Sequence, residues 1–254
     1  RRSDAAIVAS GSASTCAKCD SLVTTSPGFV REYFLPVQGY RGEIFLLENK
    51  VYPSRRLPAA SMENTAPVSA GRPWVIGCFG ALRCRRSLEL MHALALRLGD
   101  RVRIVLRGYP AGMIADDFDN LLGDLPNFEF GGSYFYPDEL ADLYAEIDFS
   151  WAFDDTSPNG NSAWLLPNRI YEGGCFGVPV IGANNTETGR WIGQHALGWT
   201  FDEPLVENLA DFFESLEPAE WESVKRRCAS HPRGEFTGEG DYARLAERLE
   251  RATS

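Results

Sequence analysis

Histidine is scarce in this 254-residue chain: His92, His195 and His231 are all it has. They stand in no metal-ligand or triad spacing, and Ser26 and Ser162 lie in no Gly-x-Ser-x-Gly elbow. Zinc hydrolysis and Ser-His-Asp chemistry therefore lack their residues. No stretch approaches the roughly 20 apolar residues that a membrane-spanning helix needs. The opening RRSDAAIVASGSASTC is too polar for a signal-peptide core, so a reducing, cytoplasmic setting is the default expectation. Basic residues are outnumbered, 25 Lys and Arg against 35 Asp and Glu, for a formal net charge of −10. That balance argues against nucleic acid as the main partner, while a few well-placed arginines can still attract a small anion. Cys16-Ala-Lys-Cys19 has the CxxC form, but no second CxxC or HxxxH exists to complete a zinc site, so no metal is expected there. Walker A and GxGxxG phosphate loops are absent as well.

What is present is a core-forming composition, 44% hydrophobic and 24% charged, in alternating strand-like and helix-like runs. Residues 21–26 and 43–47 read as strands, separated by the helix-compatible SPGFVREYF with Ser26 as N-cap and Pro27 at the first helical position. Residues 52–73 are rich in Pro, Ser and Ala and lack periodicity, which marks a linker or boundary. WVIGCFG (74–80) is a buried-strand run, and after it Leu88, Met91, Leu94, Ala95 and Leu98 recur at helical spacing. Further strands are expected over 101–108, 127–132 and 148–153, with helices over 114–122 and 137–147. The stretch 165–181, LLPNRIYEGGCFGVPVI, reads as a helix from 167 to 176, a stop at Gly177 and a strand. Helices near 205–215, 218–229 and 238–251 finish the chain. Strand alternating with helix predicts a doubly wound α/β domain, a parallel sheet with helices on both faces. Such sheets bind ligands beyond the carboxyl ends of their strands, so the loops after 79, 107, 131, 153 and 181 hold the candidate residues.

In FGALRCRRS (79–87), Gly80 lets backbone approach a ligand closely, and Arg83, Arg85 and Arg86 enter a helix start. A helix N-terminus offers unpaired N–H groups and the positive end of a dipole to phosphate. Three arginines there fit an anion between them, or else pair with some of the 35 acidic side chains. In LPNRIYEGG, Arg169 and Glu172 are neighbours on one helical face, as an ion pair or as two ligand contacts. Each of Gly173 and Gly174 costs a helix roughly 1 kcal/mol relative to alanine. Something therefore packs against bare backbone, a ligand or a neighbouring strand. Glu172 has the chemistry to accept hydrogen bonds from a pair of ribose hydroxyls. The loop DDTSPNGNSAW (154–164) has the polar side chains and aromatic plane of a polyol-binding loop, with Asp154 and Asp155 alternatively turn formers. Adjacent carboxylates do not make a hydrolase dyad.

Taken in order, Gly80-Ala-Leu-Arg-Cys-Arg-Arg86, Phe130-Gly-Gly-Ser-Tyr134, Leu140 to Asp148, and Asn168-Arg-Ile-Tyr-Glu172 with Gly177-Val-Pro-Val180 resemble the nucleotide-sugar half of a family 4 GT-B glycosyltransferase. LPNRIYEGG and TSPGFVREYF further resemble enzymes of succinoglycan-type bacterial exopolysaccharide assembly. The resemblance implies that Arg86 stands where the family has a diphosphate-contacting lysine, with Arg83 sharing that work. It gives Glu172 the ribose hydroxyls, and the turn Gly131, Gly132, Ser133, Tyr134 the base, held largely through backbone. Ala81 stands at the family's first basic position, and Trp164 where the E-x7-E motif has its first glutamate. Asn161 and Asn168 are the candidates to hold the donor sugar instead, beside Arg169.

The activity so implied is retaining, metal-independent transfer of a hexose from a nucleotide diphosphate sugar, expected to be UDP-linked, to a lipid-linked oligosaccharide. No cofactor and no nucleic acid are implied, and at most peripheral contact with the inner membrane face. Residues 1–57 then correspond to the tail of an N-terminal acceptor domain, partly disordered at its start, and 58–254 to the nucleotide-sugar-binding domain, with the last helix crossing back. The chain is expected to be a piece of a longer enzyme. Two other readings stand beside this one. An epimerase of related architecture needs acid/base side chains near the sugar, which are not identifiable. A non-catalytic nucleotide-sugar-binding module or degenerate partner subunit is the other.

Overall fold

A computed structural model describes residues 19, 21–52, 71–156 and 160–253. Cys16 of the CxxC pair, most of the expected linker with the 57/58 boundary, and residues 157–159 of the polar loop lie outside the described residues.

Two parallel sheets form. In the smaller, β1 (Ser21–Thr24) pairs with β2 (Glu43–Leu46). Between them α1 (Pro27–Phe29) runs into a π-helical turn over Val30–Phe34. Ser26 is the N-cap, accepting the Gly28 N–H at 3.0 Å, and Pro27 opens the helix where its missing N–H costs nothing.

The larger sheet contains β3 (Trp74–Leu82), β4 (Val102–Pro110), β5 (Phe128–Phe130), β6 (Phe149–Trp151), β7 (Val180–Ala183) and β8 (Gly198–Phe201). All are parallel, in the order β5-β4-β3-β6-β7-β8. The connecting helices are α2 (Arg85–Leu98), α3 (Phe118–Leu122), α4 (Leu140–Ala145), α5 (Asn161–Trp164), α6 (Asn168–Cys175), α7 (Glu187–His195), α8 (Leu205–Ser215), α9 (Pro218–Ser230) and α10 (Glu239–Thr253). The chain winds outward from β3 to β5, returns to lay β6 beside β3, and then winds the other way to β8. The return is registered by Ile76 against Phe149 and Gly77 against Ser150. A crevice must open beyond the carboxyl ends of β3 and β6, where the connections diverge.

The expected apolar stripe of α2 is buried throughout and packs with Leu209, Ala210 and Phe213 of α8 on one face of the sheet. The other face carries Ile170, Tyr171 and Cys175 of α6, and Leu140, Leu143 and Tyr144 of α4. Polar ties fix the central strands. The Trp151 indole N–H donates to the Ser87 hydroxyl at 2.6 Å. Asp148, buried just before β6, accepts both arms of Arg72 at 2.7 Å and the Val75 N–H at 2.8 Å.

Some expectations need correction. Residues 137–139 form turns, so α4 is shorter than the expected 137–147. Pro167 is the N-cap of α6 rather than its first residue, because its ψ of 149° is extended. A short helix, α5, lies inside what reads as a continuous polar loop. The paired glycines of α6 also have their explanation. A Cβ on Gly173 would sit 3.1 Å from the Ser150 Cβ and the Val178 carbonyl, and one on Gly174 would strike the Phe236 ring. The bare backbone therefore serves a neighbouring strand and a core aromatic, not a ligand.

The small sheet is fastened to the large one at the loop before α6 and at α10. Phe29 and Tyr33 each place their rings 6.4 Å from Trp164, and the Ser26 hydroxyl donates to the Trp164 carbonyl. Asn49 donates to the Leu166 carbonyl at 3.1 Å, and Arg31 pairs with Glu187 at 2.7 Å. Lys50 pairs with Asp241 at 3.0 Å and Arg248 with Glu43, while Val51 bridges to Thr237.

Gly174→Ala tests the close approach. Alanine is the better helix former, yet overpacking against Phe236 is expected to destabilise the fold by about 1–3 kcal/mol in urea denaturation. Adding Phe236→Leu should restore part of that loss; an unchanged midpoint in Gly174→Ala would mean that the ring yields freely.

Candidate functional site

At the crevice, β3 runs into Gly80, whose φ of +109° suits only glycine comfortably, and then into Arg83 and the N-cap Cys84. The Cys84 sulfur accepts the Ser87 N–H at 3.4 Å and the Asp155 N–H at 3.2 Å, which ties the start of α2 to the loop after β6. The three arginines are exposed, but they do not form an open basic patch. Arg83 lies 3.3 Å from Asp154, Arg85 2.9 Å from Asp117, and Arg86 bonds both Asp155 and Glu203. The side chains of Arg83 and Arg86 are each 52% exposed. Of their pairs, Arg86 with Glu203 is open to water on both sides and holds only about 0–1 kcal/mol, so a phosphate dianion can compete for Arg86.

Arg169 and Glu172 share α6 but do not bond each other, which corrects the intrahelical ion-pair reading. Arg169 donates to the Cys78 sulfur at 3.3 Å and to the Phe153 carbonyl at 3.4 Å, joining the ends of β3 and β6 from beneath. Its Nε is buried without a hydrogen-bond partner among the described residues. Glu172 is 3% exposed and accepts the Tyr144 phenol at 2.9 Å. Burial raises its pKa above the usual carboxylate range, against the opposing pull of Tyr144 and Arg169. Tyr134 and Tyr136 stand near enough to feel its charge: burial and the Glu172 carboxylate push Tyr136 up to about 12, and Tyr134 is raised by the same causes.

The turn Gly131–Tyr134 is built on the end of β4. Arg107 donates to the carbonyls of Gly132 at 3.2 Å and Ser133 at 3.1 Å, and Gly132 has a φ of +76°. Gly131 and Ser133 are exposed, with Gly132 and Tyr134 half-buried beside them. Asn161 begins α5 and Asn168 begins α6, and both are exposed. Trp164 is not the open aromatic plane of a polyol-binding loop, since its ring is taken up by Phe29 and Tyr33.

The structure thus sets Gly80, Arg83 and Arg86 at the carboxyl end of β3, ties Arg169 to Cys78 of β3 and to Phe153 just after β6, buries Glu172 against Tyr144, and sets the 131–134 turn beyond β5. Asp154 anchors the loop after β6. Although burial works against its charge, hydrogen bonds from the Ser162 hydroxyl at 2.8 Å and the Thr156 N–H at 3.2 Å hold its pKa below the ordinary value. Asp117-Phe118-Asp119 forms an Asp-x-Asp triplet at α3, but Asp117 is engaged by Arg85 and Asn120. Among the described residues no group of three His, Cys, Asp or Glu could hold a metal ion. His195 faces His231 at 3.3 Å and His92 packs on Phe128.

Sequence reasoning missed Tyr144 and Glu203, and it read Asp155 as part of a polyol-binding loop or as a turn former rather than as a partner of Arg86. Only Tyr144 carried a signal, as a phenol on the apolar face of a helix, which usually needs a buried acceptor.

The raised pKa of Glu172 has a testable sign. Between the ordinary value near 4.5 and the raised one, the folded chain holds a proton that the unfolded chain releases. Its contribution to stability is full below that window and is lost as pH rises through it. The stability of the wild type relative to Glu172→Gln is therefore expected to fall as pH is raised from the acid side toward neutrality. Thermal melts of both proteins across that range measure it; a constant difference would mean that the carboxyl titrates normally.

No family model matches the sequence. The chain is 42% identical over 201 residues to succinoglycan biosynthesis protein ExoL of Rhizobium meliloti (strain 1021), a match that covers 78% of this chain and 49% of that protein. It thus spans about half the length of this curated relative. Among solved structures, sucrose-phosphate synthase from Thermosynechococcus elongatus superposes with a TM-score of 0.70 at 16% identity, over 95% of this chain and 61% of that one. Anabaena HepE, crystallised with UDP and glucose, gives 0.63 at 16% identity over 91% and 63%. WaaG, a glycosyltransferase involved in lipopolysaccharide biosynthesis, gives 0.56 at 16% identity over 87% and 61%. In fold this chain is like the GT-B glycosyltransferases among these structures, and in sequence it is similar to a succinoglycan biosynthesis protein.

Proposed function

We propose that this chain carries the donor half of a glycosyltransferase of exopolysaccharide synthesis. In this reading it binds a nucleotide diphosphate sugar, expected to be UDP-linked, and works within a longer enzyme that passes a hexose to a lipid-linked oligosaccharide. The observation that carries the proposal is the order of three groups along the sheet. These are the amino end of α2 with Arg83 and Arg86 after β3, the backbone turn 131–134 after β5, and the buried carboxylate of Glu172, whose charge reaches Tyr134 of that turn. The kinship with ExoL supports the pathway, and the UDP and glucose bound by HepE support the ligand class.

Breaking a sugar–diphosphate bond builds negative charge on the leaving phosphate. In this reading two guanidinium groups and the amino end of the 14-residue helix α2 stabilise it. Arg86 is the principal contact and Arg83 the second, each exchanging a carboxylate for phosphate. Glu172 is assigned to the ribose hydroxyls, entered from the side of Tyr134. The base lies over the 131–134 turn. Arginine rather than metal neutralises the charge in this scheme, and retention of configuration follows from the family resemblance. Residues 21–52 are assigned to the end of the acceptor domain. A cytoplasmic position at the inner membrane face is proposed with the lipid-linked acceptor; among the described residues no helix is long and apolar enough to cross a membrane.

One observation favours a second reading. Residue 164 is a tryptophan, packed against Phe29 and Tyr33, and so supplies no side-chain carboxylate at that position. A module that binds the nucleotide sugar without turning it over would be built this way.

Calorimetric titration with UDP, UDP-glucose and GDP-mannose tests both. Binding of a uridine ligand is expected, and Arg86→Ala and Glu172→Ala should each weaken it by at least about 1.5 kcal/mol, the range of charged hydrogen bonds. No binding of any nucleotide would defeat both readings. Binding without turnover by the full-length protein would favour the module.

A further inference from the structure

Tyr144 has no part in the scheme above, yet it holds the carboxylate assigned to the ribose. Its side chain is buried, at 2% exposure, and its ring is locked on two sides. Phe79 of β3 meets the ring edge-on at 5.2 Å, and Phe176, at the end of α6, stacks on it at 5.3 Å with 18° between the planes. The phenol is therefore a fixed point in the apolar layer between α4 and the sheet. It donates to one oxygen of Glu172, Oε2, at 2.9 Å. The other oxygen, Oε1, accepts no hydrogen bond from a described residue, yet it is not sealed from solvent. The carboxylate thus presents a single free oxygen.

The surroundings of Glu172 give the phenol a second task. Among the described residues, the titratable and charged groups that feel this carboxylate are Tyr144 of α4, Tyr134 and Tyr136 beyond β5, and Arg169 and Cys175 of α6 itself. Burial keeps the three phenols and the thiol uncharged well past neutral pH. Two groups are left to favour the ionised carboxyl against its own burial: the Tyr144 O–H, by hydrogen bond, and the Arg169 cation, by charge. An ionised oxygen only accepts, which suits hydroxyl donors, whereas a protonated carboxyl must itself donate.

We propose that Tyr144 is a positioning residue for ribose recognition: by holding Oε2 it turns the free Oε1, as a charged acceptor, toward the ribose hydroxyls. The proposal rests on the nucleotide reading above, which assigns Glu172 to the ribose and gives Tyr144 no role.

The probes are UDP and dideoxy-UDP, which lacks both ribose hydroxyls, titrated calorimetrically from mildly acid to mildly alkaline pH. The wild type is expected to prefer UDP by about tenfold or more at neutral pH, as hydrogen bonds to a charged group allow. That preference should fade as pH falls and Glu172 takes up its proton. Tyr144→Phe removes one oxygen from a ring that Phe79 and Phe176 still hold. It should cut the preference several-fold, leave the affinity for dideoxy-UDP unchanged, and move the fading to higher pH, because a donor to the charged form is gone. In Glu172→Gln the preference should no longer vary with pH, with or without the phenol. One readout needs no variant: on the acid side of neutrality the wild type should release more protons on binding UDP than on binding dideoxy-UDP.

A purely structural Tyr144 would make Tyr144→Phe weaken both ligands in parallel, and that result would overturn the proposal with the nucleotide reading intact. So would a Tyr144→Phe that keeps both the preference and the pH at which it fades, or equal proton release by the wild type. Equal affinity of the wild type for the two ligands would take Glu172 away from the ribose, and Tyr144 with it. A wild type that binds neither ligand would overturn the nucleotide reading itself.

Discussion

The pairing of β3 with β6 is the constraint on which the other features depend. It spans only Ile76 with Phe149 and Gly77 with Ser150, yet it joins two windings of opposite sense. The crevice exists because the connections leave in opposite directions there. The chain has invested heavily in keeping the junction fixed. Asp148 locks the approach to β6 through Arg72 and Val75, Trp151 reaches across to Ser87 at the head of α2, and Arg169 links Cys78 to Phe153 from below. Gly173 lets α6 lie close enough to β6 for that reach. Groups from four segments far apart in sequence thus arrive at one place.

Electrostatics at the site is a matter of exchange rather than of raw charge. A chain with ten more acidic than basic residues does not display a standing positive field. It keeps its exposed arginines on carboxylates that range from the nearly buried Asp154 to the exposed Glu203. Arg83 and Arg86 are held by Asp154, Asp155 and Glu203 beside the crevice. Little conformational freedom is then left to lose when an anion arrives. The same carboxylates repel stray anions that cannot make the full set of contacts.

Much of the fold was legible because it is periodic. The stripe Leu88, Met91, Leu94, Ala95, Leu98 could face only a core, and the cap at Ser26 needed only local chemistry. The apolar run at 74–80 and the strand at 101–108 read as members of a parallel sheet, and both strands extend two residues further than that reading, to Leu82 and Pro110. The site was half legible. Arg86 and Glu172 are chemically conspicuous against their surroundings, whereas their partners are not. Asp155 and Glu203 reach Arg86 across 69 and 117 residues, and Tyr144 reaches Glu172 across 28. No local pattern encodes pairings of that kind. The paired glycines were ambiguous for a related reason: sequence shows that backbone is bare, but not what lies against it.

Trp164 is anchored to the helical segment between β1 and β2 by two aromatic rings and by its own carbonyl, while four residues later the same backbone opens α6. The loop that frames the crevice is therefore mechanically a part of the small sheet as much as of the large one. A swing of one sheet against the other cannot occur as a clean hinge. It must drag the first turn of α6, and with it Arg169 and Glu172, so that relative movement of the two sheets is felt directly as a change in grip on whatever occupies the crevice.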